Sequence, residues 1–225
     1  MDQAKHSEIE LKALKESMGL MWRLTLSQIQ KCKQAYLTDD EELAREIVSR
    51  EKRVNSFELK IDSDCENYIA LFAPVAVDLR LVLSLMKISI TLERIADFAE
   101  GIALHVLEDD CHKVLEALKD DLKIEAMFDA VISMLSDSLV ALESENTKLA
   151  GKILQKDEEV DTIYKEGRKV LAEYIRKNPE HGACALNIVL ILRRIERIGD
   201  HCSNAIEDIV FYIDAKVLKH SKNKE

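Results

Sequence analysis

Apolar positions recur at helical steps through most of the chain. The clearest run is Ile88, Leu92, Ile95, Ala99, Ile102 and Val106, at steps of four and three. That spacing predicts a core-facing helical seam. The same seam returns 103 residues later as Ile191, Ile195, Ile198, Cys202, Ala205 and Ile209. Carboxylates ride beside both copies, Glu93 and Asp97 in the first, Glu196 and Asp200 in the second. Glu93 and Glu196 follow a seam position by one residue, about 100° around a helix, and Asp97 and Asp200 stand one turn further along. They are therefore expected on the edge of a bundle, not at its centre. Asn204 and Glu207 continue the second row.

Extending this reading along the chain predicts six helices. The first spans 8–36, with Ile9, Leu14, Met18, Met21, Thr25, Gln28 and Ile29 as its stripe. Thr38-Asp39-Asp40 is a break, with the next cap expected at Thr38 or Asp39. A second helix reaches Phe72, and Pro74 ends it or opens the third, over 75–107. The stretch 108–121 is acidic and shows no clear period, so it is expected to be a linker. A fourth helix covers 122–143. A fifth, capped at Asn146 or Thr147, ends before Asn178-Pro179, and a sixth covers 181–215. The tail HSKNKE is expected to fray. The second and fifth helices repeat too, at a shift of 106. Leu43-Ala44 falls on Leu149-Ala150, Ile47 on Ile153 and Val54 on Val160. The expected fold is all-α, two tandem three-helix bundles over 1–110 and 111–225.

Composition agrees with a helical chain. Of 225 residues only six are glycine and two proline, while 47% are hydrophobic. The net charge of -10 argues against nucleic-acid binding, which needs a basic face. Five scattered cysteines with no Cys-x-x-Cys pair suggest neither a disulfide nor a thiolate zinc site, and hence a reduced protein with mostly core cysteines. The opening MDQAKHSEIELK has no apolar signal core and no run approaches a membrane span, so a cytoplasmic location is expected.

Carboxylates stacked four apart repel one another and call for a cation. That cation is a metal ion or an arginine, and Arg193 and Arg197 offer the simple alternative of a solvated, internally paired face. Asp157 and Asp161 repeat the spacing on the fifth helix, with Glu51 and Asn55 as their counterparts on the second. His201 is expected to pack, since it adjoins seam residue Cys202. The chain has no Glu-x-x-His pair and no glycine-rich phosphate loop; Asp109-x-x-His112 is the nearest approach to the former. Three readings follow from the residues: a metal-binding adaptor without catalysis, a carboxylate-bridged metalloenzyme (a hydrolase or oxidase) on a helical bundle, or a purely structural helical scaffold that needs no metal.

Three stretches resemble the PhoU family of phosphate-signalling proteins. They are Leu11 to Tyr36 with Met18-Gly19; Pro74 to Arg80 followed by Leu92-Glu93-Arg94-Ile95-Ala96-Asp97; and Glu196-Arg-Ile-Gly-Asp200-His-Cys-Ser-Asn204. The resemblance implies pseudo-twofold three-helix bundles and multinuclear surface clusters of iron or zinc. Their ligands would be Glu196, Asp200 and Asn204 in one half, Glu93 and Asp97 in the other, with Asp157 and Asp161 as further candidates. It also implies a non-enzymatic repressor of the phosphate-starvation response. Its implied partners are a phosphate-transporter ATPase and a sensor histidine kinase, and a homodimer is the expected assembly. Gly101 stands where the family pattern has asparagine, and Asn55 where the fifth helix has Asp161, which leaves the first site short of ligands.

Overall fold

The computed structural model describes residues 2–108 and 111–218. The tail from His220 and the Asp109 end of the Asp109-x-x-His112 pair lie outside the described residues. Helix α1 spans Asp2–Thr38, α2 Glu41–Phe72, α3 Ala76–Glu108, α4 His112–Leu122, α5 Ile124–Glu143, α6 Ala150–Lys177 and α7 Gly182–Asp214, and no strand occurs among the described residues. Short 3-10 turns at Thr147–Leu149 and Pro179–His181 lead into α6 and α7.

Helices α1, α2 and α3 pack on one another, as do α5, α6 and α7. The halves meet mainly through α3 against α7, with α1 against α5 beside them. All twelve seam residues predicted on α3 and α7 are buried. Burial of these faces from both sides, not helix propensity alone, holds such long helices together. Trp22 is fully buried and donates its indole N–H to the Leu135 carbonyl at 2.9 Å, tying α1 to α5. Ser84 and Arg80 of α3 likewise donate to the carbonyls of Asp208 and Tyr212 on α7.

Four expectations need correction. The stretch predicted as a linker holds α4, which buries Val114, Leu115, Leu118 and Leu122. That is a helical spacing, hidden in the sequence by its acidic flanks. The cap of α2 is Asp40, whose carboxylate accepts from the Leu43 N–H at 2.9 Å. Ile9 is exposed, because α1 there is covered on one side only, by Tyr68 and Phe72 of α2. Finally, Cys111 and Cys184 form a disulfide, with Cα atoms 5.2 Å apart. Cys32, Cys65 and Cys202 are buried thiols, as expected of core cysteines.

Candidate metal centres

Each half carries an acidic trio between two helices. In the second half, Asp161 of α6 meets Glu196 and Asp200 of α7. One carboxylate oxygen from each lies within 4.8 Å of the others. Burial, then Asp200 and Asp161, push the Glu196 carboxyl above its ordinary value, against the pull of Arg193 and Arg197. Asp157 lies one turn back on α6 and is almost fully buried. Its Oδ1 would stand 3.2 Å from a Cβ placed on Gly199, with Val160 Cγ1 at 3.4 Å. Gly199 is thus a close-approach point of α6 and α7, which explains the glycine inside the motif. Gly199→Val is expected to destabilise the fold by about 2–3 kcal/mol through overpacking, measured by denaturant unfolding. A cost near zero would mean the helices part freely there. Asn204 is half-buried, one turn beyond Asp200.

In the first half the trio is Glu51 of α2 with Asp97 and Glu100 of α3, again within 4.8 Å of one another. Only Asp97 was singled out as a ligand from the sequence. Burial and then Glu51 and Asp97 raise Glu100, while burial and then Asp97 raise Glu93. Glu58, about two turns further along α2 from Glu51, is raised by burial and then by Asp62. Glu93 lies outside the trio and sits 3.5 Å from Arg94, whose Nη1 also donates to Asp97 at 3.3 Å.

The internal repeat shows what the two trios share. Glu93 corresponds to Glu196, Asp97 to Asp200 and Glu51 to Asp157, so both halves keep those three carboxylates. The fourth position differs. Asp161 in the second half corresponds to Asn55, and Glu100 in the first half corresponds to Ser203. Asn55 Oδ1 and Ser203 Oγ are both buried and have no hydrogen-bond partner. Each half therefore holds four carboxylates and one orphaned oxygen, on exchanged positions. Glu100 thus brings a carboxylate to the first half where Asn55 has none, and the two halves hold equal numbers. A buried acceptor without a donor is costly unless something electropositive sits beside it. Converging carboxylates, raised glutamates and an orphaned oxygen together fit a cation. The donors are all oxygen, the set preferred by hard ions.

Gly101 also has a structural reason. Arg194 of α7 lies across it, with Nε 2.9 Å from where a Cβ would be, and donates to the Gly101 carbonyl at 2.9 Å. An asparagine there would displace this bridge between the halves. His201 packs as expected, its ring 5.6 Å from that of Phe98. Phe98 is its counterpart in the internal repeat. Arg197 also lies over the Phe98 ring, 5.4 Å from its centroid. Burial, then Arg197 and Arg94, hold the His201 imidazole below its usual value.

Fold and sites together define a duplicated helical-bundle protein with one carboxylate cluster in each repeat. The sequence profile of the PhoU domain matches twice, over residues 18–106 and 124–209. The chain belongs to the PhoU family. It is 31% identical over 218 residues to a phosphate-specific transport system accessory protein PhoU homolog of Aquifex aeolicus, covering 96% of each chain. The crystal structure of PhoU from Pseudomonas aeruginosa superposes with a TM-score of 0.84 at 28% identity, covering 93% of this chain and 99% of that one. The phosphate transport system regulatory protein PhoU from Streptococcus pneumoniae gives 0.82 at 27% identity, covering 95% and 99%. Among the described residues, no helix is long and apolar enough to cross a membrane.

Proposed function

We propose that this chain is a metal-binding regulatory adaptor of phosphate transport. It acts with the ATPase subunit of a phosphate transporter and with a sensor histidine kinase to repress the phosphate-starvation response. The observation that carries this reading is likeness along nearly the whole chain to accessory and regulatory proteins of phosphate transport systems. The two acidic trios support the metal part. Glu51, Asp97 and Glu100 would hold one centre, Asp161, Glu196 and Asp200 the other, and the oxygen-only donors favour iron over zinc. Glu93, Asp157 and Asn204 lie within a turn or so and would complete or buttress the shells.

An adaptor regulates by binding one state of its partner more tightly than the other. A preference of about 100-fold, or about 2.7 kcal/mol, is the scale such coupling requires. Clusters on bundle edges suit this role, because a metal there stiffens two helices without occupying the core.

Deleting this protein is expected to switch on phosphate-starvation promoters while phosphate is plentiful. Reporter expression in the deletion strain checks this, and continued repression would overturn the regulatory role. Complementation with Glu196→Ala/Asp200→Ala is expected to leave the promoters partly active. Full repression by that variant would retain the adaptor and remove the metal from its mechanism.

A further inference from the structure

The Cys111–Cys184 bond joins residues 73 apart in sequence. Cys111 lies just ahead of α4, in the connection between the two halves, and Cys184 lies in the first turn of α7. The bond thus fastens that connection to the helix that presents Glu196 and Asp200. The other three cysteines are buried thiols. Burial pushes Cys65 up to about 12, and Cys32 and Cys202 are raised further still. Since the thiolate is the reactive form, those three are inert and redox chemistry falls to the pair. Both members of the pair are only half-buried. A small cavity of about 30 Å³ adjoins the bond, lined by Cys111, His105, His112 and Asp39 among others. Two imidazole rings line the space beside Cys111, and an imidazole N–H can donate to a thiolate there. The cavity is also large enough to admit water. Helix α4 itself is short, has no side-chain cap, and is anchored by four buried side chains.

We infer that Cys111–Cys184 is a reversible redox latch holding the start of α4 against α7. In reduction, a dithiol of the thioredoxin class attacks Cys184 Sγ. The Cys111–Cys184 bond breaks, a mixed disulfide forms at Cys184, and Cys111 leaves as the thiolate beside the two histidines. The reductant's second thiol then attacks the mixed disulfide. It departs as a disulfide and Cys184 becomes a thiol. In oxidation by hydrogen peroxide, the Cys111 thiolate attacks a peroxide oxygen and gives a sulfenic acid and hydroxide. The Cys184 thiol then attacks the sulfenic sulfur, and the disulfide forms with release of water. The thiol that departs as the more stable thiolate departs faster, which assigns that role to Cys111.

The test uses the full chain in two states, treated with peroxide or reduced with a thioredoxin-class dithiol. After acid quenching, the thiols are alkylated and located by mass spectrometry. Alkylation only in the reduced state, and only at Cys111 and Cys184, is the expected result. Free Cys111 and Cys184 after peroxide would overturn the latch. Hydrogen exchange at the amides of α4 is expected to rise about tenfold or more on reduction, as for a locally released element, while the α5–α7 core is unchanged. A Cys111→Ser/Cys184→Ser variant is expected to show the fast exchange in both states. Equal exchange of α4 with and without the bond would show a staple with nothing to release and would also overturn the latch. His105→Ala/His112→Ala is expected to slow reduction about tenfold. An unchanged rate would overturn Cys111 as the leaving sulfur.

Discussion

Replacing Trp22 with alanine is expected to lower the unfolding free energy by about 4 kcal/mol, close to the upper end for a core aromatic. The indole is fully buried where α1 crosses α5, and its N–H is satisfied by the Leu135 carbonyl. Truncation removes the largest buried side chain of that junction and leaves a cavity among long helices that cannot collapse independently. The lost hydrogen bond adds about 1 kcal/mol. Trp22→Phe keeps most of the volume and is expected to cost about half as much. Denaturant unfolding reads both values. The shape of the transition also matters, because Trp22 bridges the two halves. If they unfold as one unit, Trp22→Ala shifts a single transition without splitting it. A loss below about 1.5 kcal/mol would mean that α1 and α5 repack around the gap.

Trp22 also illustrates what the sequence reveals. The stripe read on α1 took Met18, Met21 and Thr25, and all three are buried. Trp22 lies one step off that stripe, on the side facing the other half, and a single-helix period does not report a second neighbour. On α3 and α7, where one seam faces both its own bundle and the other half, the period was complete and every predicted position is buried. The second acidic trio is legible because Asp161, Glu196 and Asp200 all belong to four-residue motifs. The first was legible only in part. Glu51 had lost its motif partner to Asn55, and Glu100 sits three residues after Asp97, where the repeat carries Ser203. Only the packing of α2 on α3 shows that these two converge. The disulfide left no trace at all, because pairing across 73 residues depends on where α7 begins relative to α4, not on local spacing.

Chelator-treated protein is expected to grow more stable as pH falls from neutral towards the carboxylate range, the reverse of ordinary acid denaturation. Glu58, Glu93, Glu100 and Glu196 are all raised above their usual value in the folded chain, chiefly by burial and then by neighbouring carboxylates. Such a group binds its proton more tightly folded than unfolded. Its protonation favours the fold, and that contribution is lost as pH rises through the elevated folded value. Glu46, Glu116 and Glu145 are lowered, mainly by hydrogen bonds from lysine, and act in the opposite sense. Their contribution is lost only as pH falls below the ordinary carboxylate value, so those two windows do not overlap. His201, lowered by burial and then by Arg197, opposes the four glutamates as pH falls through the ordinary imidazole value, one group against four. The apo protein should therefore be most stable on the acid side of neutral. A metal ion reverses the slope above that point, because it needs the same carboxylates deprotonated and competes with protons for them. On the metal reading proposed here, ferrous or manganous ion at a hundredfold over its Kd adds about 2.7 kcal/mol per independent site. That gain should be largest at neutral pH and fade towards acid. Unfolding curves between about pH 5.5 and 8, with chelator and with metal, measure both slopes. Glu196→Gln removes one repelling charge and one ligand. It is expected to flatten the apo profile and to weaken the metal effect in the second half, leaving the first to Glu51, Asp97 and Glu100. Glu100→Gln should do the converse. An apo profile that is flat or rises towards neutral would mean these carboxylates are not strained against one another. An unchanged metal response in both variants would place any bound ion elsewhere.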